Sequence, residues 1–423
     1  MKNKIWFILF VVLTFAYRLS LDFIYADIIS PVWEYQHFVL DINKTNYYIS
    51  FLWLILISLF DYKLYNDNRP SSNFLLFTDI LFFIPLSSII PLSGMNDSFL
   101  YFCVIYWLIM VVLQMRKIRR KPMMSITNEN RISNLFYIFA FFLIILNFLV
   151  TVYYNGFKIK FDLSSVYDIR FAVRDMNLPT IIQYLKPLAS KVTLLTIVVM
   201  IVKKNYKWVV ILSLVQLMNF AFGALKSDLF ALLLAYIIGF LFKPHHRQYL
   251  LYALVFSNLI VIVEYLVTGV SFISIVVHRR VLFMPSLLSY EYFDYFTNNE
   301  CVYLRDSFMR YLGFKSPYSL EIPRLIGLEF YGEQEMNCNT GIVGDDFAQF
   351  GWFALLIFPW LRIKLLDFYD KICYNINPKI VIYVSFVYAL VFISGTFFSS
   401  LLTGGFIGIC ILISFIKKKL KYD

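Results

Sequence analysis

The chain reads as an all-α integral membrane protein: about twelve transmembrane helices in one polytopic domain, 1–423, with two long outward loops. Three observations predict this. Sixty per cent of its 423 residues are hydrophobic and the mean hydropathy is +0.70, well outside the balance of a soluble domain. Apolar runs of span length recur, among them Leu135–Tyr153, Val209–Phe222, Phe230–Phe242 and Leu250–Val263. A helix needs about 20 residues to cross the hydrocarbon core. In lipid each backbone polar group must be satisfied internally, so helix is the expected state. The third observation is the segregation of charge, described below.

Taken in order, the spans are expected near 5–21, 45–60, 74–92, 98–115, 132–153, 183–202, 207–222, 227–242, 249–268, 344–361, 379–396 and 399–416. The first apolar stretch, Ile5–Ala16, runs past Arg18 without a small-residue cleavage site, and so reads as a signal anchor. The sixth span is the weakest, with Lys186, Pro187 and Lys191 at its start. Most connections are short turns; 154–187 and 269–343 are the exceptions. No repeat of 20–50 residues is present.

With the N-terminus inside, the inner segments carry 23 of the 38 basic residues and 6 of the 27 acidic ones. The inner face is then near +17 and the remainder near −6, matching the overall +11. This obeys the positive-inside rule, so both termini are expected in the cytoplasm. The basic excess reflects orientation and does not point to nucleic acid.

Both long loops carry closely spaced arginines. In the first, Ser164 or Ser165 can cap a short helix that Asn177 and Pro179 end. Arg170 and Arg174 lie four apart on it, hence on one face. Two such cations repel unless an anion lies between them, and a diphosphate supplies it through charge-assisted bonds of about 1.5–3 kcal/mol each. Lipid headgroups, or pairing with Asp168 and Asp175, are the alternatives. The turn Phe222 to Asp228 holds Gly223 and Lys226 at a helix N-terminus, a phosphate cradle or an ordinary hairpin turn.

The second loop opens with His278-Arg279-Arg280 and passes through the aromatic-acidic stretch Tyr290 to Phe296, suited to an interface or to stacking on sugar rings. It leads through Asn339-Thr340-Gly341 to Asp345 and Asp346 at a span mouth, where a carboxylate can act as base or simply cap the helix. Charges within spans cost energy unless they face a wet cavity or a partner. Arg18, Asp22, Gln216, Asn219, Lys226, Asp228 and Glu264 cluster toward outer helix ends, with Asp79 the main exception. That bias favours a cavity open to the outer leaflet. Cys301 and Cys338 share the second loop, so a disulfide is open to them, with two unpaired thiols as the alternative. No His/Cys ligand spacing calls for a metal.

On these features the chain resembles the O-antigen polymerase (Wzy) family of bacterial inner-membrane enzymes. The likeness covers the architecture of about twelve spans, inner termini and two enlarged periplasmic loops. Locally it lies in the Tyr167–Arg174 helix, in Gly223 with Lys226, and in Arg279-Arg280 followed by Pro285. The segment from Asn339-Thr340-Gly341 to Phe350-Gly351 looks like the family's Asn-Thr-Gly…Asp…Phe-Gly stretch. Lys226 stands where family members often have arginine.

The resemblance implies an inverting, metal-independent, cofactor-free membrane glycosyltransferase of GT-C-like architecture. Its donor and acceptor would be undecaprenyl-diphosphate-linked oligosaccharides, its partners membrane lipid and a chain-length regulator. Arg170, Arg174, Arg279, Arg280 and Lys226 would bind diphosphate, and Asp345, Asp346 and His278 are the candidate bases. A ligase or a lipid-linked oligosaccharide flippase are the alternatives. A carrier is expected to show polar residues through both leaflets.

Overall fold

The computed structural model describes residues 2–120, 130–155, 179–223, 226–242, 249–307 and 309–418. Among them the chain is helical apart from one ladder, Asn130–Ile132 antiparallel to Ile416–Lys418. Among the described residues eight helical stretches are long and apolar enough to cross a membrane, each at an expected span, although one of them, Gly344–Ile372, is broken at Gly351. At the expected positions near 132, 207, 227 and 379 stand further apolar helices, Asn134–Asn155, Tyr206–Gly223, Lys226–Tyr236 with its π-helical continuation Ile237–Leu241, and Pro378–Ser394. Large apolar side chains such as Leu52, Ile138, Phe256 and Leu356 stand exposed on the helix faces, an arrangement costly in water and natural against lipid.

The described residues group into two compact units. The first comprises 1–123, 246–367 and 389–398. At its centre lies the stretch Pro70–Leu92, whose most apolar window is wholly buried. Small polar residues, Ser71, Ser72, Ser87 and Ser88, let neighbouring backbones approach it. Pro85 lacks the N–H that would close a helical bond to Leu81, and the chain widens into a π turn at Asp79–Phe83 just before it.

Charges buried around this helix bond to hydroxyls, to a backbone carbonyl and to one another. Arg18 donates to the Ser87 hydroxyl (3.1 Å) and carbonyl (2.6 Å) and pairs with Asp22. Asp22 also accepts from Tyr47 (3.1 Å) and Ser88. Toward the other end of the bundle, Asp79 accepts from the Trp107 indole at 3.0 Å, and Asp61 is buried as well. Buried polar groups therefore reach both halves of this unit, and the outward bias expected from the sequence is only partial.

The stretch 269–343 is not an extended loop. It holds a π-helical segment Ser274–Phe283, a helix Met284–Asn298 and a helix Ile322–Tyr331. Glu291, Tyr292, Phe293 and Phe296 of the aromatic-acidic stretch are buried. They pack in the unit's interior rather than on an open interface.

The expected tenth span also changes character. Its helix Gly344–Phe350 contains Asp346, and the helix Ala354–Ile372 contains Arg362. Sixteen residues of continuous helix would separate the two by about 24 Å, yet they form an ion pair at 2.8 Å. The chain doubles back at Gly351, whose φ of +54° lies in the region that favours glycine. Arg362 is thus a buried partner of Asp346, not a charge beyond the far end of the expected span 344–361.

The second unit comprises 124–245, 368–388 and 399–423. Its helix Thr180–Val202 packs against Asn134–Asn155 and Tyr206–Gly223. Polar side chains join these helices: Asn147 to Asn219 at 3.1 Å, and Gln216 to Ser190 at 3.0 Å. Gly405 and Gly408 face Leu188 so closely that an added Cβ would meet its Cδ1 at 2.8 Å, so this small-residue spacing serves close packing.

Candidate functional site

The first span does not end at residue 21. Its helical path continues through a π turn, Ile24–Ile29, the turn Ser30–Trp33 and the 3-10 turn Glu34–Gln36. His37 then adopts a left-handed conformation, φ +65°, with its N–H on the Glu34 carbonyl at 2.9 Å. The return strand is fastened by Tyr25, which donates to the Val39 carbonyl (2.8 Å), and by the Asp41 and Asn43 amides, bonded to Leu92 and Pro91. This short connection presents Trp33, Gln36 and His37 as a fixed set.

Facing them is the segment Ser274–Phe283. Its entrance is held by Ser271, which accepts from the Ser274 amide (3.2 Å) and donates to Glu264. Three consecutive residues here have different fates. His278 is buried, its Nε2 2.9 Å from Asn258 Oδ1, and Asn258 in turn donates to Ser20 at 2.7 Å. Burial pushes this imidazole down to about 4, so it stays neutral at physiological pH. Arg279 lies over the Trp33 ring, 3.6 Å from its centroid, and donates to Gln36 Oε1 at 2.6 Å. Stacking and the hydrogen bond together fix the guanidinium plane. Arg280 is exposed.

Glu291 is 2 % exposed and lies two turns into Met284–Asn298. One carboxylate oxygen, Oε1, meets His37 Nδ1 at 3.0 Å and accepts from the Tyr331 hydroxyl at 2.8 Å. Oε2 has no hydrogen-bond partner among the described residues. The His37 and Tyr331 rings stack, centroids 4.9 Å apart and 21° from parallel. Burial raises the Glu291 carboxyl, opposed by its bonds from His37 and Tyr331. The carboxylate contact raises His37 above its ordinary 6.5 against partial burial. His37 keeps 41 % of its side chain exposed. Because Gln36 and His37 are consecutive, ~3.8 Å apart at Cα, the arginine clamp and the ionisable cluster form one constellation.

The other residues singled out in the sequence are distributed as follows. Arg170 and Arg174 lie outside the described residues, as does the side chain of Lys226, which opens the helix Lys226–Tyr236. Asp345 and Asp346 are not at an open mouth. Both are buried in the first turn of Gly344–Phe350, where acids suit the helix dipole. Asp346 accepts from Arg362 at 2.8 and 2.9 Å and from Tyr106 at 2.6 Å, while Asp345 accepts from Gln349 at 3.3 Å. An aspartate held by a guanidinium has its lone pairs engaged, so this pair is architectural. Cys301 and Cys338 are free thiols, not a disulfide; Cys338 is buried, with its carbonyl bonded by Tyr292 at 2.9 Å.

The Asn339-Thr340-Gly341 motif is a joint. Thr340 bonds Ser289 at 3.0 Å, and the amides of Gly341 and Ile342 donate to Ile393 and Phe392. Val343 sits at φ +73°, ψ −64°, with the Gly344 amide on the Ile342 carbonyl at 3.0 Å. This is a γ-turn of the strained hand, carried by a β-branched residue.

The residues missed in the sequence are His37, Trp33, Gln36, Glu291 and Tyr331. Glu291 alone left a trace there, as part of the aromatic-acidic stretch Tyr290 to Phe296. No family model matches the chain, and neither a curated protein nor a solved structure shows significant similarity to it.

Proposed function

We propose that this protein is an O-antigen-type polymerase. It joins undecaprenyl-diphosphate-linked repeat units by inverting glycosyl transfer at the periplasmic face of a bacterial inner membrane. In this reading the chain crosses twelve times with both termini cytoplasmic, has a GT-C-like architecture, and works with a chain-length regulator. The observation that carries the proposal is Arg279, clamped by Trp33 and Gln36 beside exposed Arg280, at the same end of the unit as an ionisable pair. A leaving diphosphate gains charge as the glycosidic bond breaks, and preorganised cations stabilise that charge without reorganising. On the family resemblance, Arg170, Arg174 and Lys226 would also bind diphosphate.

A flippase is the second reading, favoured by Asp61 and Asp79 buried toward the opposite end of the bundle. The lipopolysaccharide ladder of a deletion strain separates the two. Single repeat units attached to core indicate a polymerase; unsubstituted core indicates a flippase or ligase. Arg280→Ala in the polymerase case leaves expression intact and collapses long chains to single units. Normal long chains in that variant and in Arg174→Ala would count against the proposal.

A further inference from the structure

We infer that His37 is the general base of the transfer, with Glu291 and Tyr331 positioning it. The inference rests on the glycosyl-transfer reading and names the residue which that reading leaves open. Four features of the geometry converge on His37. It is the half-exposed member of the cluster, whereas His278, Asp345 and Asp346 are buried and engaged. Its Nδ1 is directed at Glu291 Oε1. With Glu291 ionised, Nδ1 carries the proton, and Nε2 of the neutral ring presents a lone pair. Among the described residues Nε2 has no hydrogen-bond partner. The Tyr331 ring stacked on the imidazole and the Phe330 ring 6.1 Å away fix its plane.

In the step, the acceptor sugar's hydroxyl proton passes to His37 Nε2 as its oxygen attacks the donor's anomeric carbon. The new C–O bond forms while the bond from that carbon to the diphosphate oxygen breaks. The electron pair leaves on the polyprenyl diphosphate, beside Arg279 and Arg280. Imidazolium then returns its proton to solvent through its exposed edge. A carboxylate behind the imidazole holds the tautomer and stabilises the cation that forms.

The charged and titratable groups around His37 are Glu291 from Met284–Asn298, Tyr331 from Ile322–Tyr331, Glu34 on its own turn, and Arg279 through Gln36. Because the Glu291 bond raises His37, the ring becomes neutral, and the enzyme active, as pH rises through a value above 6.5. Removing that carboxylate leaves only the lowering effect of burial, so the acid limb of Glu291→Gln moves to lower pH.

The test uses the full chain in proteoliposomes, with lipid-linked repeat units extracted from the deletion strain. Wild type is expected to make long chains. His37→Gly, which suits the left-handed backbone, should lose about 10²–10⁴-fold in rate and recover with added imidazole. Glu291→Gln should lower the maximal rate and shift the acid limb of the remaining activity down. If wild type polymerises and His37→Gly stays within threefold, or the limb of Glu291→Gln does not move, His37 is not the base and the polymerase reading stands. If wild type makes no long chains, the polymerase reading falls and the base assignment falls with it.

Discussion

Replacing Arg362 by leucine tests the doubled-back geometry of 344–372 directly. Asp346 is fully buried and accepts four hydrogen bonds, three from Arg362 and one from Tyr106. Without the guanidinium, a carboxylate remains in a low-dielectric interior with a single phenol for company. Removing one member of a buried pair costs about 3–5 kcal/mol. Replacing both by apolar residues of similar volume is often close to neutral. The double variant Arg362→Leu/Asp346→Leu should therefore recover most of the loss. A residue of about 1–3 kcal/mol belongs to the Tyr106 hydroxyl, then left without an acceptor, and Tyr106→Phe should relieve it. The assay is SDS titration in mixed micelles, with detergent thermal aggregation as a second readout. If the two single losses simply add in the double variant, Asp346 and Arg362 are not in contact. A continuous helix would then replace the reversal at Gly351.

Three further outcomes are expected. Trp33→Ala frees the Arg279 guanidinium from a stacking contact of about 0.5–2 kcal/mol. It should weaken lipid-diphosphate binding about 2- to 30-fold in a flotation assay, with melting unchanged. Gly341→Ala would set a Cβ 2.1 Å from the Phe392 carbonyl and 2.2 Å from that of Gly395. Overpacking against backbone costs typically ~1–3 kcal/mol, so the same SDS titration should find it destabilised. Tyr331→Phe removes one bond from Glu291 while keeping the ring stacked on His37. It should slow turnover about 10- to 150-fold if the whole bond to a charged group, ~1.5–3 kcal/mol, is felt in the transition state, and leave expression unchanged.

The apolar stretches were legible because hydropathy over about 20 residues is a summed property that tertiary context seldom reverses. Arg279 and Arg280 were legible as a pair but not as individuals. Only the chain's return past Trp33 decides that one is clamped and the other exposed. The expected span 344–361 sets Asp346 and Arg362 at opposite ends of one run, because a helix-length apolar run hides a reversal. Phe350-Gly351 was its one visible signal. His37 was illegible for a different reason: its partner Glu291 lies 254 residues away, a separation no local pattern bridges. Glu291 itself read as part of a stretch suited to an interface or to sugar rings, because a run of aromatic residues does not say which side is water.

The enclosed stretch Pro70–Leu92 has a bearing on how the chain is made. It leaves the ribosome early, yet part of its covering, Ser274–Phe283 and Met284–Asn298, is encoded much later. Translation at about 5–20 residues per second puts roughly 10–40 s between Leu92 and Ser274. Over that interval the side of the helix those segments will cover, with its serines and prolines, must wait against lipid or be sheltered by an insertion chaperone. Truncations ending near residue 268 should therefore be prime targets for membrane quality control, although every span up to that point is complete.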